Sequence, residues 1–199
     1  MRKTIIIVSL VFATQASFAQ KTFSECYDTL HHHLTNDKDF NPIRDMSDWQ
    51  NCIKGKEMPY LSLKTISGEK IETQNLAGKV IVINLWFTTC HPCIAELPAL
   101  NKLVKEYKNK NVVFLGLSTD TKDYLDTDFF PKYKFDFTIV ADAYNIVQKI
   151  GHTGFPTTYI IDMNGKVRDA WIGGLDDKKA ETAAYVRAKP IIDELLKAE

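Results

Sequence analysis

Val80-Ile81-Val82-Ile83-Asn84-Leu85-Trp86-Phe87, followed after two threonines by Cys90-His91-Pro92-Cys93, is the stretch on which the fold turns. All but one of the first eight residues are apolar, and β-branched and aromatic side chains dominate, which predicts a central strand buried on both faces. After the cysteines, Ile94, Leu97, Leu100, Leu103, Val104 and Tyr107 recur at helical spacing. The two thiols therefore fall at a strand-to-helix junction. A cysteine opening a helix lies beside unsatisfied backbone N–H groups and the positive end of the macrodipole, which favour thiolate over thiol. Cys93 follows one turn later, within reach of a disulfide to Cys90 or of attack on a mixed disulfide there.

Cys-x-x-Cys also supplies half of many zinc sites. The other two cysteines, Cys26 and Cys52, lie 26 residues apart and make no second pair of that kind. The redox reading leads, and no metal is assigned.

The chain opens with Arg2 and Lys3, an apolar stretch from Ile5 to Ala13, and Ser17-Phe18-Ala19 as a small-x-small cleavage site. Residues 1–19 read as a secretory signal peptide. The stretch is short for a membrane span, so the expectation is a periplasmic or otherwise exported protein, soluble after cleavage, with an uncleaved N-terminal anchor as the alternative. No cysteine follows the site to carry a lipid. Loss of Arg2 and Lys3 takes the basic count from 25 to 23 against 25 acids, a formal charge of −2. Such balance gives no electrostatic case for nucleic acid or for an anionic membrane surface.

Residues 20–58 are polar and mixed, with Asn41-Pro42 and Gly55 as breakers; they read as an N-terminal extension with one short helix around Phe23 to Leu34. In an oxidising compartment Cys26 and Cys52 are expected to close a structural disulfide, which the chain-entropy estimate values at about 3.5 kcal/mol. Two buried free thiols or an intermolecular pair are the alternatives. His31-His32-His33 cannot all face one metal on a helix and reads as a solvated stretch.

Residues 59–199 form the main domain. Tyr60 to Ile66 and Lys70 to Thr73 flank Ser67-Gly68 as a hairpin. Pro98 should kink the helix that follows the cysteines. Strands over Asn111–Ser118 and Phe137–Val140 alternate with helices over Lys122–Tyr133 and Ala143–Ile150, which predicts a parallel core. A hairpin over Thr157–Asp162 and Lys166–Ile172 turns at Met163-Asn164-Gly165. A last helix, Asp176–Lys197, is expected to break near Pro190.

From Pro59 onward, about 140 residues, the chain resembles the thioredoxin superfamily, and within it the exported TlpA/ResA-like thiol-disulfide oxidoreductases. The resemblance rests on Val80–Phe87, on Cys90-His91-Pro92-Cys93, on Glu96-Leu97-Pro98 and on Gly154-Phe155-Pro156-Thr157. It implies an α/β, thioredoxin-like fold: a central mixed sheet flanked by helices, with an N-terminal hairpin. It implies that Cys90 attacks, Cys93 resolves, and Pro156 is a cis-proline that aims the Phe155 backbone at an extended substrate segment. Trp86 matches an aromatic beneath the active site and joins Phe155 and Pro156 as a candidate substrate-binding residue.

Glu96, three residues beyond Cys93, shares its helical face. A carboxyl buried there could exchange protons with Cys93. Asn84 stands where ordinary thioredoxins carry a buried aspartate. Two departures from the family are Thr89, where Trp is usual, and His152, which reads as a loop or core histidine or as a neighbour that tunes Cys90. His91 should favour the thiolate and give a less reducing couple than Gly would.

The leading reading is a protein-disulfide reductase with no cofactor beyond the Cys90–Cys93 disulfide. It would act on protein disulfides or dithiols, including thiols used in cytochrome c maturation, and be recharged by a membrane electron donor. The alternatives are a copper-binding metallochaperone using Cys90, Cys93 and His152, and a thiol peroxidase. The peroxidatic Pro and Thr positions are occupied here by Ile83 and Phe87.

Overall fold

The computed structural model describes residues 21–151, 154–175 and 177–197. The signal-peptide reading and His152 therefore lie outside the described residues. Two helices come first, α1 (Phe23–Asn36) and α2 (Pro42–Ile53). Thr22 and Glu25 cap α1 reciprocally. At α2, the Asn41 side chain accepts from the N–H groups of Ile43 and Arg44, both at 3.1 Å. Asn41-Pro42 is thus a start signal, with Pro at the first helical position where its missing N–H costs nothing. The expectation of one helix in this extension is corrected to two. They are joined by a Cys26–Cys52 disulfide with Cα atoms 5.7 Å apart.

A hairpin, β1 (Ser62–Lys64) and β2 (Lys70–Glu72), pairs antiparallel as a sheet of its own. Then come β3 (Val80–Trp86), α3 (His91–Ala95), α4 (Leu97–Glu106), β4 (Val112–Ser118), α5 (Lys122–Tyr124), β5 (Thr138–Val140), α6 (Tyr144–Ile150), β6 (Thr157–Ile161), β7 (Val167–Ile172) and α7 (Ala180–Lys197). The main sheet has the order β5-β4-β3-β6-β7. β3, β4 and β5 run parallel, β6 runs antiparallel to β3, and β7, antiparallel to β6, points the same way as β3 again. This is the thioredoxin-like arrangement, with β3 central and buried throughout.

Strand parity divides the core. Val80, Val82 and Trp86 face a cluster built with α4 and α7 residues such as Leu100, Leu103, Ala188 and Ile192. Ile81, Ile83 and Leu85 face the other cluster, where Phe23, Cys26, Leu30, Trp49 and Ile53 of the extension meet Val147 and Ile150 of α6. The extension also lines the sheet edge, since Gly55 N–H donates to the Val167 carbonyl at 2.7 Å and Val167 N–H to that of Lys56 at 2.8 Å.

Three helical expectations change. The helix over Lys122–Tyr133 is instead α5 running into a π-helical turn, Leu125–Phe129, closed by Phe130 N–H on the Leu125 carbonyl at 2.9 Å. Pro131 offers no N–H to extend it, and the wider turn seats Leu125 and Phe129 in the core. The break attributed to Pro98 sits earlier, at Glu96, between α3 and α4; Pro98 is then an early-turn residue of α4. α7 runs unbroken through Pro190. Tertiary bonds hold it there: Tyr107 Oη donates to the Asp193 carboxylate at 2.7 Å and the Lys189 carbonyl at 3.2 Å, and Lys189 Nζ lies 2.7 Å from Glu106.

Candidate active site

The C-terminal end of β3 delivers the chain to Cys90, which is the N-cap of α3. Thr88 N–H donates to the Asp120 carboxylate at 2.7 Å, and Asp120 in turn accepts from Ser118 Oγ at 3.0 Å. These bonds tether the approach to the cysteines to the end of β4. Cys90 and Cys93 are bonded to each other, with Cα atoms 5.2 Å apart. Cys93 N–H donates to Cys90 Sγ at 3.3 Å. That donor, at the first turn of a helix, would stabilise negative charge on Cys90 once the disulfide opens. Exposure separates the two sulfurs: Cys90 keeps 6% of its surface and Cys93 1%. Cys90 is thus the more accessible of the two. His91 and Thr89 are exposed beside it.

Phe155–Pro156 is a cis peptide. It approaches the redox helix around Gly174, where a Cβ would lie 3.1 Å from Pro156 Cγ and 3.4 Å from Pro92 Cβ. Gly173 N–H donates to the Pro156 carbonyl at 2.7 Å and fixes the loop from the other side. Phe155 is half-buried, its ring edge-on to Phe87 with centroids 5.0 Å apart.

Glu96, three residues beyond Cys93, is 3% exposed. Asn84 Nδ2 donates to Glu96 Oε1 at 2.9 Å and to Thr158 Oγ1 at 3.0 Å. Asn84 and Thr158 are direct cross-strand partners, so β3–β6 register builds this bridge. Burial pushes the Glu96 carboxyl up to about 8, against the smaller opposing effect of the Asn84 hydrogen bond. The carboxyl borders a groove of about 370 Å³ between the end of β7 and the start of α7, lined by Gly173, Gly174, Ala183 and Arg187 among others.

The structure brings Cys90, Cys93, Glu96, Phe155 and Pro156 to one end of the sheet. Trp86 is different, and its reading as a substrate-binding residue is corrected. It is 0% exposed, walled in by Phe129 and Phe135 at centroid distances of 4.9 and 5.3 Å, so it floors the site without touching substrate. Sequence reasoning missed Asp120, Thr158 and Gly174. Gly173-Gly174 was visible as a turn signal, whereas Asp120 and Thr158 depend on which strands pair. Among the described residues no group of three or more His, Cys, Asp or Glu could hold a metal ion.

The chain is 37% identical over 130 residues to the thioredoxin-like protein YneN of Bacillus subtilis, covering 64% of this chain and 76% of that protein. It is 34% identical over 134 residues to the thiol-disulfide oxidoreductase ResA of Bacillus thuringiensis, covering 67% and 76%. A thiol:disulfide interchange protein of the thioredoxin family from Chlorobium tepidum shares the fold with a TM-score of 0.55 at 21% identity, over 72% of this chain and 97% of that one. The model of the AhpC/TSA family matches residues 54–170, which span β1 through most of β7 and include every residue of the redox pair and the cis-proline loop. On this match and these relatives, the chain belongs to the AhpC/TSA family, among its thioredoxin-like thiol-disulfide oxidoreductases.

Proposed function

We propose that this protein is an exported reductase of protein disulfides. The observation that carries the proposal is the Cys90–Cys93 pair at the start of α3, with the more exposed sulfur accepting the Cys93 N–H. In the reduced form the Cys90 thiolate attacks one sulfur of a substrate disulfide. A mixed disulfide forms and one substrate thiolate leaves. Cys93, deprotonated, then attacks Cys90 Sγ, restoring the bond seen here and releasing the second substrate sulfur. Two electrons pass from the dithiol to the substrate, whose sulfurs take up two protons.

Glu96 is the residue we assign to the Cys93 proton. A carboxyl titrating near about 8 is matched to a thiol, so transfer between them is nearly balanced in free energy. Phe155 and Pro156 form the ledge on which an extended substrate segment lies. Cys26–Cys52 is structural, because it joins α1 to α2 with its sulfurs largely withdrawn from solvent. Export is supported by residues 1–19, with their basic start, apolar run and small-x-small site. No helix among the described residues is long and apolar enough to cross a membrane. The substrates would be exported thiols such as those used in cytochrome c maturation, and a membrane electron donor would reduce Cys90–Cys93 again.

Redox equilibration against glutathione or dithiothreitol buffers tests the direction. A potential of about −250 mV or below supports a reductase, and one near about −120 mV would replace that reading with an oxidase.

A further inference from the structure

Gly151 closes α6 with a φ of 69°. It is clamped from two sides by aromatic side chains. The ring of Tyr27, on α1, occupies the space a side chain at 151 would need: a Cβ there would lie 2.3 Å from Tyr27 Cγ and 2.5 Å from Cδ2. Glycine is thus required twice over, by backbone conformation and by contact. Tyr159 Oη donates to the Gly151 carbonyl at 3.0 Å. Tyr159 is itself fully buried on β6, its ring against Phe23 of α1 and Trp49 of α2, each with centroids 6.0 Å away.

Both contacts belong to the extension or are braced by it. Cys26, the residue before Tyr27, is bonded to Cys52, so α1 and α2 form one covalently closed unit. Gly154-Phe155-Pro156-Thr157 begins three residues after Gly151, with Thr157 Oγ1 donating to the Gly154 carbonyl at 2.6 Å. Tyr159 lies two residues beyond Thr157 on the same strand. Gly151, held by Tyr27 and Tyr159, and β6, which carries Tyr159, thus lie on either side of the cis-proline loop along the chain.

We propose that the disulfide-closed α1–α2 unit positions the Phe155–Pro156 loop for protein substrates, with Tyr27 and Tyr159 as its positioning residues. The inference rests on the reading of that loop as the substrate ledge. A loop held in its binding geometry spares the complex the cost of ordering it. A small disulfide that reaches Cys90 without lying along the loop gains nothing from the clamp. The clamp therefore sets affinity for extended polypeptides and leaves the dithiol chemistry alone.

The test is steady-state reduction of insulin, as protein disulfide, beside that of bis(2-hydroxyethyl) disulfide. Tyr27→Ala should raise the KM for insulin by roughly 2- to 30-fold. Its kcat, its rate with the small disulfide and the Cys90–Cys93 potential should match wild type. Tyr27→Phe, which keeps the ring, should behave as wild type. Phe155→Ala separates the two readings. A raised insulin KM in Phe155→Ala beside an unchanged one in Tyr27→Ala overturns the clamp and keeps the ledge, and an unchanged KM in both overturns both. Parallel loss of insulin and small-disulfide reduction in Tyr27→Ala also overturns the clamp, because the whole fold would then have loosened.

Discussion

Replacing Glu96 with glutamine should stabilise the oxidised protein at neutral pH, and by an amount the structure sets. The carboxyl is buried, and its titration point rises from 4.5 to about 8. Below pH 4.5 folded and unfolded chains both hold the proton, and nothing is lost. As pH rises from there toward 8, the unfolded chain releases the proton and the folded chain keeps it. The folded state then binds more protons, so stability falls with rising pH. The slope is about 1.4 kcal/mol per pH unit. Wild type therefore gives up about 3 kcal/mol by pH 7 and about 4 kcal/mol by pH 8, levelling off at about 5 kcal/mol above that. Glutamine avoids the loss, and its Oε1 can still accept the Asn84 Nδ2 bond that measures 2.9 Å here. Urea unfolding of both oxidised proteins at about pH 4.5, 7 and 8.5 measures the gap directly. It should be near zero at the first pH and widen through the others. A gap that stays constant across the series would refute the buried, proton-holding carboxyl. In the reduced protein the same variant should lower the apparent pKa of the dithiol, because an ionised Glu96 repels thiolate, and it should flatten the pH–rate profile.

Cys90→Ser should abolish exchange, whereas Cys93→Ser should trap a mixed disulfide through Cys90; alkylation at mildly acidic pH, read by peptide mass, should label Cys90 first, and preferential labelling of Cys93 reverses the assignment. Replacing Cys26 and Cys52 together by alanine should cost about 3.5 kcal/mol by the loop-closure estimate, or roughly 7–14 °C in Tm for a domain of this size. Calorimetry checks the shift, and an unchanged Tm would mean that packing of Phe23, Leu30 and Trp49 alone secures the extension.

Where the signals are local, sequence and structure agree. The run Val80–Phe87, the Cys-x-x-Cys at its end and the β-α-β alternation need no knowledge of distant residues, because burial on both faces and helical spacing are written in consecutive positions. Elements whose limits are set by partners were less legible. Asn41-Pro42 serves equally to end one segment and begin another, and only the cap bonds to Ile43 and Arg44 decide which. Pro190 would break an isolated helix, yet α7 is held straight by Tyr107 and Glu106 from α4. The π-turn at Leu125–Phe129 exists to seat two side chains against Trp86 and its neighbours. Thr158 joined the site through strand register, which no spacing along the chain reveals.

Strand parity explains why one short strand serves both the chemistry and the extension. Side chains alternate across β3, so Asn84 and Trp86 must share the face of the sheet that α4 and α7 cover. There Asn84 meets Glu96, and Trp86 floors the disulfide. Ile83 and Leu85 then necessarily point the other way, into the core shared with α1 and α2. The cross-strand pairs carry the same division into β6: Thr158 lies opposite Asn84, and Tyr159 lies opposite Ile83. The Thr158–Asn84–Glu96 hydrogen-bond bridge and the aromatic contacts on Gly151 are consequently neighbours in sequence on opposite faces of one sheet. A substitution at Tyr27 reaches the cis-proline loop through Tyr159 and Gly151 without crossing to Glu96. Loop position and proton transfer should therefore respond to mutation independently, and the fold-change in insulin KM of a Tyr27→Ala, Glu96→Gln double variant should equal the product of the two single fold-changes.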